Sequence, residues 1–299
     1  MRRVIRKSWR ILKPYAFILP TLIPLLVFVY YPLVHSFQIS FIDWNMVSPH
    51  PKWVGLANYK NLLTSGEFWT AVKNTAVYSL ILLIGLFAAP FIAAFGVTQI
   101  RSRAASFFKG ALFLPTVLSL SVSAIVFLWS LNPVIGIINQ LLGMIGIPGV
   151  NWLSDPNWAK WAVSLSVMWK TFGYNFLVLM ASLLAVPEEL KEAARVQGLR
   201  SSFGLMRKII IPLSTGTLIY VFVTSIVVGI QYVFVPVQML TNGGPNQATS
   251  NLVFLIYQYG FQFFKSGLAS ATAILTFFTF LLLIIVQAFY LERRAYYEN

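Results

Sequence analysis

Residues 15–34 read YAFILPTLIPLLVFVYYPLV, twenty positions without a charge. As a helix this run reaches about 30 Å, the thickness of a bilayer's hydrocarbon core. It does not alternate with period two, so it is not a strand of a lipid-spanning barrel. Six cations precede it: Arg2, Arg3, Arg6, Lys7, Arg10 and Lys13. A basic head and an apolar body also describe a secretory signal, but this apolar part is too long and no small-x-small cleavage site ends it. The stretch is read as an uncleaved first span.

The rest of the chain repeats the pattern. Of 299 residues, 58% are hydrophobic and 10% charged, more apolar side chain than a soluble domain of this length can hide. In lipid every backbone N–H and C=O must be paired internally, and runs of about twenty apolar residues select helices. Spans are expected at about 15–35, 71–98, 110–131, 159–186, 213–239 and 267–290, giving an all-α polytopic membrane protein with six transmembrane helices. The single transmembrane domain is 15–291, between tails 1–14 and 292–299. Pro24, Pro90, Pro115 and Pro236 fall inside spans and predict kinks. The apolar run SNLVFLIYQYGFQFF (250–264) is short and broken by Gly260, so it reads as an interfacial or re-entrant helix.

Cations set the orientation. Sixteen lie on one side: the six of the N-terminal tail, Arg101, Arg103, Lys109, Lys191, Arg195, Arg200, Arg207, Lys208, Arg293 and Arg294. Five lie on the other: Lys52, Lys60, Lys73, Lys160 and Lys265. The excess places both termini and the 187–212 loop in the cytoplasm. Because the cations sit at the ends of apolar runs, the net charge of +14 is membrane topology and not a nucleic-acid surface. The outer loops are rich in Trp, Tyr, Asn and Pro, which suits the headgroup zone.

All eight Asp and Glu fall in loops or tails, which weighs against a carrier driven by intramembrane carboxylates. His35 and His50 are the only histidines, there is no cysteine, and HExxH, GxSxG and GxxxxGK[ST] are absent. No cofactor, metal or catalytic site is therefore expected on this chain. Lys170 is the one cation within a span, where a lone ammonium is costly. It either snorkels and pairs, or lines a polar path. Tyr174 and Asn175 lie one turn on and share its face by spacing. Gln231 and Gln238, seven apart, share a face of the fifth span, as helix–helix glue or as path-lining amides.

The 187–212 loop is longer than a simple connection. Pro187 suits a first helical turn, Glu188, Glu189 and Glu192 its positive dipole end, and Gly198 a left-handed cap. Leu190, Ala193, Ala194 and Gln197 make one small, mostly apolar face. SSFGLMRK (201–208) offers a serine cap and a second short helix, closed by Pro212 before the fifth span. Two readings stand: an amphipathic helix pair resting on lipid, or a docking element for a cytoplasmic partner.

This loop resembles the EAA loop of binding-protein-dependent ABC transporter permeases: Glu192-Ala193-Ala194, then Gly198, then IIIP ending at Pro212. Gln197 stands where the sugar-type pattern has Asp, and Pro212 is one residue late. The stretches LTNGGPNQATSNLVFLIYQYGF (240–261), GLASATAILTFF (267–278), WVGLANYKNLL (53–63) and FLPTVLS (113–119) are similar, in order, to maltose- and glycerol-3-phosphate-type permeases.

The resemblance implies a type I importer permease in a bacterial or archaeal cytoplasmic membrane, with the EAA loop as its coupling helix. It implies a second homologous permease, two ATPase subunits holding Mg-ATP, and an extracytoplasmic binding protein that the loop of Asn242, Gly243, Gly244 and Pro245 faces. The implied cargo is a carbohydrate; Lys170 leaves an anionic solute such as glycerol-3-phosphate open.

Overall fold

The computed structural model describes residues 15, 17–100, 103–199 and 201–291. The tails expected at 1–14 and 292–299, together with Arg101 and Arg200, lie outside the described residues.

Among the described residues five helices are long and apolar enough to cross a membrane: α1 (Phe17–Ile39), α3 (Gly66–Thr98), α7 (Pro156–Ala185), α10 (Thr215–Thr241) and α12 (Ser266–Leu291, apolar over Ser266–Gln287). Between them lie α2 (Ala57–Thr64), α4 (Arg103–Phe113), α5 (Leu120–Ser130), α6 (Ile137–Met144), α8 (Glu188–Val196), α9 (Ser202–Leu205) and α11 (Leu252–Tyr257).

The run expected at 110–131 is not one straight helix. Its two halves, Ala105–Val117 and Leu120–Ser130, meet at 102°. Pro115 lacks an amide hydrogen and falls in a 3₁₀ turn at Leu114–Val117. Leu118 is then extended, and the Ser119 hydroxyl accepts the Val122 N–H at 3.2 Å, so a new helix is capped where the old one stops. The break packs against Gly173 of α7, where a Cβ would lie 2.3 Å from the Leu112 carbonyl oxygen. Gly173 is thus required by close backbone approach.

The other span prolines sit beside wide π turns. Ile84–Ala88 precedes Pro90, and Val237–Thr241 follows Pro236. Pro90 cannot supply the N–H that an α-helix would give the Leu86 carbonyl. That oxygen instead accepts from the Asn175 amide and, at 3.2 Å, from the Ser225 hydroxyl, which ties α3 to α7 and α10.

The chain divides into two compact units, Met1–Thr64 with Ile256–Phe277, and Ser65–Leu255 with Phe278–Asn299. In the first, a short hairpin pairs Ile42 with Trp53 and Asp43 with Lys52 (β1, Ile42–Asp43; β2, Lys52–Trp53). The Asn58 amide donates to the carbonyls of Ser40 (2.9 Å) and Ile42 (3.0 Å), and Phe41 stacks on Trp53. In the second unit α7 is the hub, in contact with α3, α4, α5 and α10. Phe176, Leu179, Met180 and Leu183 of α7 bury themselves against Ala94 and Val97 of α3 and Val221 of α10. Small residues and interhelical hydrogen bonds at such seams replace the hydrophobic effect that lipid does not provide.

Candidate functional site

Two constellations stand out in the second unit, the segment after α7 and the seam between α7 and α10. In the segment, Pro187 is the residue before α8 and has extended backbone, so it caps the helix and does not enter its first turn. Gly198, at φ +94°, ends it. The Leu199 N–H donates to the Ala194 carbonyl at 2.9 Å and the Gly198 N–H to Arg195 at 3.1 Å, the paired bonds of a Schellman cap.

The acidic residues divide their work. The Glu188 carboxylate accepts from Lys191 at 3.1 Å and Arg195 at 3.2 Å. Hydrogen bonding to the Lys191 ammonium, seconded by Arg195, holds the Glu188 carboxyl below the usual carboxylate range. Glu192 is exposed, and among the described residues no cation pairs with it. Val196 is 88% exposed and Phe203 is exposed too, while Ala194 is buried.

The small face of Leu190, Ala193, Ala194 and Gln197 lines one wall of an open cavity of about 440 Å³, with Lys208 and Pro212 opposite. A second cavity, about 390 Å³, lies between Glu188, Lys191 and Arg195 and the ends of α3 and α7. Pro212 does not close the unit as expected. A π turn at Met206–Ile210 absorbs the missing amide, and helix continues through Ile211–Leu213 to a break at Ser214.

Along the α7–α10 seam the half-buried Lys170 places its ammonium 5.9 Å from the centroid of the Tyr232 ring, a cation–π contact. No carboxylate pairs with it among the described residues. Tyr174, one turn on and exposed, meets the Tyr220 hydroxyl at 3.3 Å. Asn175 does not share this face. It is buried and spent on the Leu86 carbonyl and, at 3.2 Å, the Ser225 hydroxyl. The seven-residue register of Gln231 and Gln238 is interrupted by a turn at Tyr232–Val233 and the π turn that follows; Gln231 is exposed and Gln238 half-buried. Tyr220 and Tyr232 were invisible to spacing arguments, because their partners lie on another helix.

The loop after α10 is fastened to α3. Asn74 donates to the carbonyls of Gln247 (2.9 Å) and Ser250 (2.8 Å), and the Leu252 N–H donates to Thr75 at 3.0 Å. Thr249 closes the loop on the Gly244 carbonyl at 2.7 Å. Of the four residues singled out there, Asn242 is exposed, Gly244 and Pro245 are half-exposed, and Gly243 is buried beneath Phe254. His35 and His50 are exposed, and no three metal-ligating side chains cluster among the described residues.

Residues 104–295 match the profile of the binding-protein-dependent transport system inner membrane component family. The chain belongs to that family. A probable ABC transporter permease of Pyrococcus horikoshii is 32% identical over 90% of this chain and 91% of its own. The trehalose/maltose transport system permease of Thermococcus litoralis is 31% identical over 88% of each. A bacterial alginate ABC transporter, solved in complex with an alginate pentasaccharide-bound periplasmic protein, has a chain that superposes with a TM-score of 0.80 at 25% identity. The match covers 93% of this chain and 95% of that one. As an inner membrane component, this permease is a multi-pass protein of the cytoplasmic membrane.

Proposed function

We propose that the chain is a transmembrane permease subunit of an ATP-driven ABC importer that translocates a carbohydrate, a mono- or oligosaccharide or a polyol. Its cargo is delivered by an extracytoplasmic binding protein. The bent pair counts as one crossing, so six spans leave both termini and α8 in the cytoplasm, as the cation excess requires. A second permease completes the pathway. Two ATPase subunits beneath hold Mg-ATP, for which this chain has no motif of its own.

The observation that carries the reading is Glu192. Of the charges on α8 only Glu188, Lys191 and Arg195 form ion pairs; Glu192, like Glu189, is exposed with no cation partner among the described residues, and it stands one turn before the protruding Val196. That is the surface a basic cleft on an ATPase would take. Ala193, Ala194, Gly198 and Pro212 shape the helix and the groove behind it. Movement of α8 by the ATPases then passes through the packed end of α7 to the α7–α10 seam, where Lys170, Tyr174, Tyr220 and Gln231 line the path.

The test is substrate-stimulated ATPase of the complex purified with its partner subunits. The double variant Glu192→Lys with Gly198→Pro should lose assembly or stimulation; wild-type levels of both would end the docking role. A second reading rests on Lys170: with no carboxylate paired to it among the described residues, it suits a cargo bearing an anionic group. Lys170→Met should then abolish transport while basal ATPase persists, and unchanged transport removes this reading.

A further inference from the structure

Between α5 and α7 the chain builds a structured loop that no part of the transport reading uses. Asn132 accepts the N–H groups of Val134 (2.9 Å) and Ile135 (3.1 Å) through its side-chain oxygen. Asn139, on α6, is a hub. Its amide donates to the carbonyls of Pro133 (3.1 Å) and Val150 (3.0 Å), and its oxygen accepts from the Val150 N–H (3.2 Å) and the Trp152 indole (2.8 Å). These bonds fix one side of α6 inward. The other side, Ile137, Leu141 and Met144 at helical spacing with Ile145 adjoining, is exposed, Met144 at 79%; Gln140 stands at its edge and donates its amide to the Ile135 carbonyl at 3.1 Å.

Three observations say what covers this face. First, residues 110–154 contain no Asp, Glu, Lys or Arg, so the face lacks any charged rim. Second, Trp129 at the end of α5 and Trp158 and Trp161 at the start of α7 are exposed beside the loop, and tryptophans of this kind gather at the headgroup level of a bilayer. Third, α7 has 30 residues, roughly 45 Å of helix, so α6 lies at the end of the bundle far from α8, where a span emerges from lipid.

We infer that α6 is an interfacial anchor. Its face of Ile137, Leu141 and Met144 lies in the lipid at the headgroup–acyl boundary of the outer leaflet, and the partner it fits is the bilayer itself. A helix with an apolar face and a hydrogen-bonded reverse side buries that face about 5–10 Å below the headgroups. The anchor holds the α5–α7 junction at a fixed depth.

The chain has no cysteine, so single spin labels are straightforward. Leu141→Cys, Met144→Cys and the loop control Asn246→Cys are labelled in the full complex, in nanodiscs of phosphatidylethanolamine and phosphatidylglycerol. Collisions with oxygen and with a water-soluble nickel chelate are then measured. Oxygen collisions should exceed nickel collisions several-fold at 141 and 144, the ratio should reverse at 246, and added binding protein should leave 141 and 144 unchanged. Nickel collisions matching those at 246 put the face in water. Immobilisation only on adding binding protein makes it a protein docking face, and exclusion of both reagents at all times makes it a subunit interface. Each of these three results overturns the anchor.

Discussion

Two short helices flank α7, and they are built for different surroundings. α6 has eight residues and no charge; α8 has nine residues, of which Glu188, Glu189, Lys191, Glu192 and Arg195 are charged. α8 buries Ala194 and α6 half-buries Ile138, Asn139 and Leu142, and both expose hydrophobic residues on the other side: Met144 is 79% exposed and Val196 88%. What separates them is how the exposed side is dressed. α8 accompanies Val196 with ion pairs and with Glu189 and Glu192, which have no cation partner among the described residues, as a surface meeting water and a protein does. α6 turns Asn139 inward and presents an uncharged face of hydrocarbon with the amide of Gln140 at its edge. Amphipathicity alone does not name the medium; the placement of charge does.

The sharpest way to break the contrast is chemical. Val196→Cys and Met144→Cys put equally protruding thiols on the two helices. A membrane-impermeant maleimide should label Val196→Cys from the cytoplasmic face only. Met144→Cys should react at least about tenfold more slowly from its own face, because a thiol in lipid is scarcely ionised and the reagent stays in water. Equal rates from opposite faces would mean that both helices share one solvent. Labelling of Val196→Cys from outside would reverse the topology.

A smaller effect has opposite signs at the two helices. Gly198 holds φ +94°, whereas Gly143 is helical with nothing within 4 Å of where a Cβ would stand. Gly198→Ala should loosen the α8 cap by about 1–2 kcal/mol. Gly143→Ala should firm α6 by about 0.5–1 kcal/mol, since alanine removes the entropic cost of glycine in a helix. Amide exchange over 188–199 and 137–145 reads both. Changes of the same sign would show that local backbone conformation does not set the stability of these segments.

The helical class, the apolar runs and the Gly198 cap were legible because each is written locally, in length, composition and one glycine after a periodic stretch. Three features were not. A kink was expected at Pro115, but its size was not: a 102° break needs Ser119 to recap and Gly173 to receive it, and Gly173 lies on another helix. Asn175 was placed with Lys170 by spacing, but Pro90, far away in sequence, leaves the carbonyl that claims it. α6 was hidden because a short uncharged apolar run between glycines has no pattern distinguishing helix from loop until Asn139 gathers its four bonds. In the candidate site the one-helix facts were readable, and the partners of Lys170 and Tyr174 were not.

The smallest effect separates the helices by pH. Lys191, and after it Arg195, keeps the Glu188 carboxyl below its ordinary range. A group depressed in the folded state stabilises it fully above its unfolded pKa and loses that contribution as pH falls through the folded one. Protection of the α8 amides, corrected for intrinsic exchange chemistry, should therefore be flat from neutral pH down to the ordinary carboxylate range and decline below it. Glu188→Gln should lower the plateau slightly, because exposed ion pairs contribute little, and should flatten the decline. α6 has no titratable carboxylate or cation anywhere in 110–154, so its corrected protection should not follow pH in this window. If α6 tracks α8 as the medium is acidified, the two ends of α7 unfold as one unit, and the local charge on α8 is not what holds it.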